Sequence, residues 1–188
     1  MASNVLVEQD SEGKSEQDSK SENSALFICL GNICRSPIAE AVCKKVVIDM
    51  MVSNRWHIDS AAIGPWHVGN QPDHRALKTL RAHGLSTDHL CRQINSNDFR
   101  KFDYILGMDI GNIKALNNKR PEDATAKILL LASFHPNGVI LDPAYLDEHA
   151  FETCYQQCLS CCSAFIKQTM NEKRNSRQTS LPHKLPYT

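Results

Sequence analysis

Four apolar runs divide the chain, and a polar or helix-forming segment follows each of them. Residues 25–28, Ala-Leu-Phe-Ile, are apolar without alternation, which marks a strand covered on both faces rather than one with a solvent side. A second short strand is predicted over 55–62, broken by Gly64-Pro65. The third is predicted over 102–108 and the fourth over 126–132. Helical patterns occupy 38–48 and 109–117. Another runs from Pro72 to about His83, closed by Gly84, and a single turn is expected at 98–101. A long helix is expected from about Asp147 to Met170. Apolar strands alternating with helices predict an α/β fold, a four-stranded parallel sheet with helices on both faces. In such sheets ligands bind beyond the carboxyl ends of the strands. Residues 25–170 form the expected domain.

The flanks are of another kind. Residues 1–24 are rich in Ser, Glu, Asp and Lys, lack periodicity and are predicted to be disordered. Residues 171–188 carry Lys173, Arg174, Arg177 and Lys184 against one Glu172 and are expected to be an unstructured basic tail. The chain as a whole is neutral, with 21 basic and 21 acidic side chains, so nothing in its charge calls for nucleic acid. Neither a signal peptide nor an apolar run long enough to span a membrane is visible. Eight cysteines without such a leader suit reduced thiols and a cytoplasmic setting. Four of them, Cys154, Cys158, Cys161 and Cys162, repeat at helical spacing and read as one face of the long helix. Strung over two turns they cannot close around a tetrahedral metal ion, so core packing is their expected role.

Candidate chemistry gathers at residues 29–37, Cys-Leu-Gly-Asn-Ile-Cys-Arg-Ser-Pro, between the first strand and the first helix. A helix start leaves backbone N–H groups without intrahelical partners and carries positive partial charge, which suits an anion. Gly31 and Asn32 tolerate the positive φ that such a loop needs, and Ser36-Pro37 reads as N-cap and first helical residue. Arg35 offers a planar fork for two phosphate oxygens. Cys29 is then the candidate nucleophile, since a site that attracts phosphate also stabilises a thiolate. A helix end contributes only about 0.3–1 kcal/mol, so loop amides, Arg35 and the Ser36 hydroxyl must share the work. Asp142, ahead of Pro143 in the loop after the fourth strand, falls at the same sheet edge and is the candidate acid for protonating a leaving oxygen.

The stretch CLGNICRSP closely resembles the phosphate-binding loop of the low-molecular-weight protein tyrosine phosphatases. Collinear blocks extend the resemblance over about residues 25–169: DSAA at 59–62, FDYIL-x-MD at 102–109, Leu141-Asp142-Pro143, and YQQC at 155–158. The resemblance implies the flavodoxin-like fold of that family and a metal-independent, cofactor-free hydrolysis of protein phosphotyrosine and small aryl phosphates. In that scheme Cys29 is the nucleophile, Arg35 binds the phosphoryl oxygens and Asp142 is the general acid. Leu30, Gly31, Asn32, Ile33, Cys34 and Ser36 complete the phosphate loop, with Ser60 and His89 supporting it. Glu40 is a candidate brace for Arg35. Cys34 corresponds to a thiol that captures the oxidised nucleophile as a disulfide. Trp66 and Tyr145 correspond to the substrate rim, but Ala144 stands where the family usually has a second aromatic. The partners implied are phosphotyrosine proteins, with a monomer or weak self-association and no membrane insertion. Two other readings are weaker. Arsenate reduction needs further cysteines, several residues apart, about seventy positions beyond the nucleophile, a region where only Cys91 lies. A binding module without turnover would lack one of Cys29, Arg35 and Asp142, and all three are present.

Overall fold

The computed structural model describes residues 21–134 and 140–179. Four strands, β1 (Asn23–Cys29), β2 (Trp56–Ala62), β3 (Tyr104–Gly107) and β4 (Lys127–Leu130), make one parallel sheet in the order β2-β1-β3-β4. The helices are α1 (Arg35–Asp49), α2 (His74–Ala82), the single turn α3 (Asp98–Lys101), α4 (Ile110–Lys119) and α5 (Glu148–Thr179).

Residues 25–28 of β1 are wholly buried, and their alternation sorts them into two layers. Ala25, Phe27 and Cys29 join the core formed with α1 and α5. Leu26 and Ile28 join a second core with Phe99, Phe102 and Leu116 of the opposite face. That double cover explains the continuous apolar run. On α5 the buried residues Phe151, Cys154, Cys158, Cys161, Cys162 and Phe165 lie on one face. The four thiols are core groups, as their spacing implies. Contact with Cys154 and burial hold Cys158 well above the ordinary thiol range, while burial and contact with Cys43 do the same for Cys162.

Several boundaries differ from expectation. β1 begins two residues early because the backbone N–H and hydroxyl of Ser24 donate to the Asp103 carboxylate at 2.7 and 2.8 Å. α2 begins at His74, not Pro72, since the Asp73 side chain caps it by accepting the Arg75 N–H at 2.8 Å. α5 continues through Thr179, so residues 171–179 are helical rather than an unstructured tail. No Gly or Pro interrupts that stretch, and Lys173 Nζ donates to the Glu22 carbonyl at 2.8 Å, tying it to the start of β1. Residues 1–20 and 180–188, where the rest of the two expected tails falls, lie outside the described residues.

After β1 the chain leaves toward α1 on one face, and after β3 it leaves toward α4 on the other. β1 and β3 are adjacent strands, so a crevice opens beyond their carboxyl ends, where this topology places ligands.

Candidate active site

Cys29 ends β1, almost fully buried at the floor of a cavity of about 290 Å³. Its Sγ lies 3.0 Å from the Ser36 hydroxyl and accepts the Asn32 N–H at 3.2 Å. Asn32 sits at φ +56°, the left-handed region that asparagine tolerates. Its side-chain amide is held on every side. Nδ2 donates to Ser36 Oγ and Ser60 Oγ, both at 2.9 Å; Oδ1 accepts from the Arg92 N–H at 3.1 Å and faces His89 Nε2 at 2.8 Å. Ser36 Oγ accepts from Asn32, and its own proton is available to the Cys29 sulfur once that sulfur is an anion. The network named from sequence, Asn32, Ser36, Ser60 and His89, is thus assembled behind the loop.

Three local expectations change. α1 begins at Arg35 with Cys34 in the cap position and no side-chain cap bond, so Ser36 is not the N-cap: its hydroxyl serves the sulfur instead. Gly31 does not occupy positive φ; its lack of a side chain makes room for His67, whose ring carbon would lie 2.9 Å from an added Cβ. Glu40 does not brace Arg35. It accepts the Ser60 hydroxyl at 2.6 Å and Lys44 Nζ at 2.6 Å, and it faces His89 Nδ1 at 3.2 Å, because its place on α1 looks toward β2.

The brace on Arg35 is Asp109, with Nη1 donating to its carboxylate at 2.6 Å; Nη2 meets Asp142 at 2.5 Å. Asp109 also caps α4, accepting the Asn112 N–H at 2.7 Å, so its direction is fixed by the fold. Burial opposes its ionisation, but the Asn112 amide and Arg35 outweigh this and lower its pKa below the usual carboxylate value. Burial likewise disfavours charge on Arg35, yet the Asp109 hydrogen bond and the Asp142 charge more than offset it. The sequence signal that marks Asp109 is its place two residues past the end of β3, the strand beside β1.

Asp142 is half exposed and turns back to accept the Ala144 N–H at 3.1 Å. The cavity between it and Cys29 is walled by Leu30, Ile33, Trp66, Ala144 and Tyr145, and by His67, which no sequence pattern marked. Trp66 folds over Gly64, whose added Cβ would lie 2.0 Å from the indole, so glycine is needed there for this wall. Cys34 also lines the cavity; burial and then the nearby Asp73 charge hold its thiol far above its ordinary range, in the protonated form.

Among the described residues one set of side chains could hold a metal ion by geometry, Glu40, Asp59 and His89. Their polar atoms are already engaged by Ser60, Lys44, Arg92 and Asn32, the pattern of a brace behind the loop. The cavity itself offers a thiol, a guanidinium and a carboxyl group facing one another, a set suited to taking a phosphoryl group from oxygen to sulfur.

Comparison with known proteins agrees with this geometry. The family model described as low molecular weight phosphotyrosine protein phosphatase matches residues 24–176. The chain is 52% identical over 149 residues to the low molecular weight phosphotyrosine protein phosphatase of Sus scrofa, covering 77% of this chain and 94% of that one. The crystal structure of Primo-1 superposes with a TM-score of 0.76 at 47% identity, covering 79% of this chain and 99% of that one. The crystal structure of DARP, a drosophila arginine phosphatase, superposes with a TM-score of 0.73 at 37% identity, covering 77% and 96%.

Proposed function

This chain belongs to the low molecular weight phosphotyrosine protein phosphatase family, a class of hydrolases, and from that premise we propose that it hydrolyses protein phosphotyrosine and small aryl phosphates through a cysteinyl-phosphate intermediate without a metal ion. The observation that carries this reading is the sulfur of Cys29, held by one hydroxyl and one amide and facing Arg35 and Asp142 across a single cavity.

In the first step Cys29 Sγ attacks phosphorus in line with the tyrosyl oxygen, forming the S–P bond as the P–O bond breaks. The Arg35 fork and the loop amides hold the three equatorial oxygens as charge redistributes. A bound phosphoryl group takes over the Arg35 nitrogen that Asp142 occupies in the free protein, leaving that carboxyl directed at the leaving oxygen, to which it gives its proton. In the second step Asp142 removes a proton from water as it attacks phosphorus, and the S–P bond breaks. Asp109 keeps Arg35 aimed at the cup in both steps.

Cys34 fits a protective role. Once a peroxide transfers an oxygen atom to the Cys29 thiolate to give a sulfenic acid, with the rest of the peroxide leaving as water or an alcohol, the Cys34 thiol attacks that sulfur and closes a disulfide with loss of water, reversible by thiols. All eight cysteines are free, which supports a reducing, cytoplasmic setting. Among the described residues no helix is long and apolar enough to cross a membrane. The protein acts as a monomer or a weakly self-associating one.

The test is hydrolysis in excess chelator of four substrates: p-nitrophenyl phosphate, a phosphotyrosyl peptide, a phosphoseryl peptide and arginine phosphate. The expected result is undiminished turnover of the first two and little of the others. Chelator-sensitive activity overturns the metal-free scheme, and preferential release of phosphate from arginine overturns the substrate assignment.

Ala144 makes one wall of the cavity small. Ala144→Tyr should restore a ring against the substrate's phenyl group. At about 0.5–1.5 kcal/mol per aromatic pair beyond burial, KM for phenyl phosphate should fall about two- to tenfold with kcat little changed. An unaltered KM rejects this assignment of the wall.

A further inference from the structure

We propose that Arg75 is a positioning residue for the general-acid loop, and that the start of α2 sets the separation of acid from nucleophile. This rests on the reading of Asp142 as the proton donor.

The loop bearing Asp142 is anchored at its start by the Leu141 N–H, which donates to Gln157 Oε1 of α5 at 2.9 Å, and by the buried Pro143, but it lies open beyond them. Tyr145 is fully exposed, and Asp142, Leu141 and Leu146 are exposed over a third or more. Within the loop the bonds are short-range, Ala144 N–H to Asp142 and Leu146 N–H to the Pro143 carbonyl at 3.0 Å. Two carbonyl groups, however, converge on one guanidinium. Arg75 Nη2 donates to the Ala144 carbonyl at 3.0 Å and Nη1 to the Leu146 carbonyl at 3.1 Å.

That guanidinium is held from two other directions. Nε and Nη2 grip the two carboxylate oxygens of Asp73 at 3.0 and 2.8 Å. Its carbon lies 4.5 Å from the ring centre of Phe151 on α5, a cation–π arrangement. Asp73 is itself fixed as the cap of α2, and its N–H donates to the carbonyl of Ile33 in the phosphate loop at 2.8 Å. A continuous path of five hydrogen-bonded residues therefore joins the two halves of the site: Ile33, Asp73, Arg75, then Ala144 and Leu146. A lysine in place of Arg75 could not grip a carboxylate and two carbonyls in one plane.

General acid catalysis demands a carboxyl group within hydrogen-bond reach of the leaving oxygen, and displacement by about 1 Å can cost about 10²-fold in rate. The loss must be graded by how much the leaving group needs the proton. This grading separates positioning of the acid from mere support of the fold.

The experiment measures kcat/KM for phenyl, p-nitrophenyl and 2,4-dinitrophenyl phosphate in wild type, Arg75→Met, Asp142→Ala and the double variant. Methionine keeps an apolar stem over Phe151 and deletes every donor. For Arg75→Met the expected loss is on the order of tenfold or more with phenyl phosphate and less than about threefold with the dinitrophenyl ester. In the Asp142→Ala background the same substitution should cost nothing further, because both act through one group. Inhibition by inorganic phosphate should stay within about threefold of wild type, showing that the cup is intact. Equal losses across the three esters, or a loss that adds to that of Asp142→Ala, overturn the proposal. Should Arg75→Met not fold, Asp73→Asn decides, since it retains a helix cap but loosens the grip on Arg75, and it must show the same grading. If Asp142→Ala itself shows no grading while wild type turns over, the assignment of Asp142 has failed rather than the role of Arg75.

Discussion

Cys29→Ser should abolish turnover, lowering kcat on the order of 10⁴–10⁶-fold, while inorganic phosphate still binds in a calorimetric titration. The reason lies in what surrounds the atom. The Ser36 hydroxyl and the Asn32 amide both donate toward the sulfur, and Arg35 is close by with its charge secured by two carboxylates. Donors of this kind favour an anion. A thiol becomes one readily, whereas a serine hydroxyl does not ionise near neutral pH and has here no adjacent base poised to take its proton. Binding survives because the amides and Arg35 are untouched. Cys34→Ser is the control and should retain turnover, since burial and the Asp73 charge keep the Cys34 thiol protonated and it takes no part in the phosphoryl transfer. Iodoacetamide should accordingly label Cys29, be blocked by phosphate, and leave Cys34 unmodified. Substantial activity in Cys29→Ser would falsify the covalent scheme.

Asp142→Ala should lower kcat/KM for phenyl phosphate about 10²–10⁴-fold and that for 2,4-dinitrophenyl phosphate far less. A phenolate of low basicity leaves without a proton, and a basic one does not. Phosphate affinity should not weaken, because removing the carboxylate frees the Arg35 nitrogen with which it pairs. A uniform loss across leaving groups assigns proton donation to another group. His67, which also lines the cavity, is the next candidate.

Much of the site was legible before any coordinates. The apolar run ahead of Cys29, the helix after Ser36-Pro37 and the Asp142-Pro143 pair sit at fixed places in an alternating strand-and-helix pattern. A parallel sheet of that pattern brings the ends of its strands together, so the nucleophile and the acid had to share an edge. The four α5 cysteines were legible for the same kind of reason, since helical spacing alone shows that they face one way.

What failed was local chemistry that depends on neighbours distant in sequence. Ser36 read as a cap because serine before proline usually is one; the fold gives its hydroxyl to the Cys29 sulfur. Glu40 read as a partner for Arg35 because both lie on one helix, and the α1 surface turns it to Ser60 and His89 instead. Asp109, 74 residues from Arg35, took that role.

The sequence by itself determined the α/β class, the strand that ends in Cys29, the place of the loop 29–36 between that strand and a helix, and the membership of the buried α5 face, because each rests on periodicity or on covalent neighbours a few positions apart. The tertiary structure alone decided which carboxylate holds Arg35, which ring lies over Gly31, and that Arg75 reaches from α2 to the carbonyls of the Asp142 loop. Those contacts form between segments separated by tens of residues, where the direction of a side chain is set by packing and not by its neighbours along the chain.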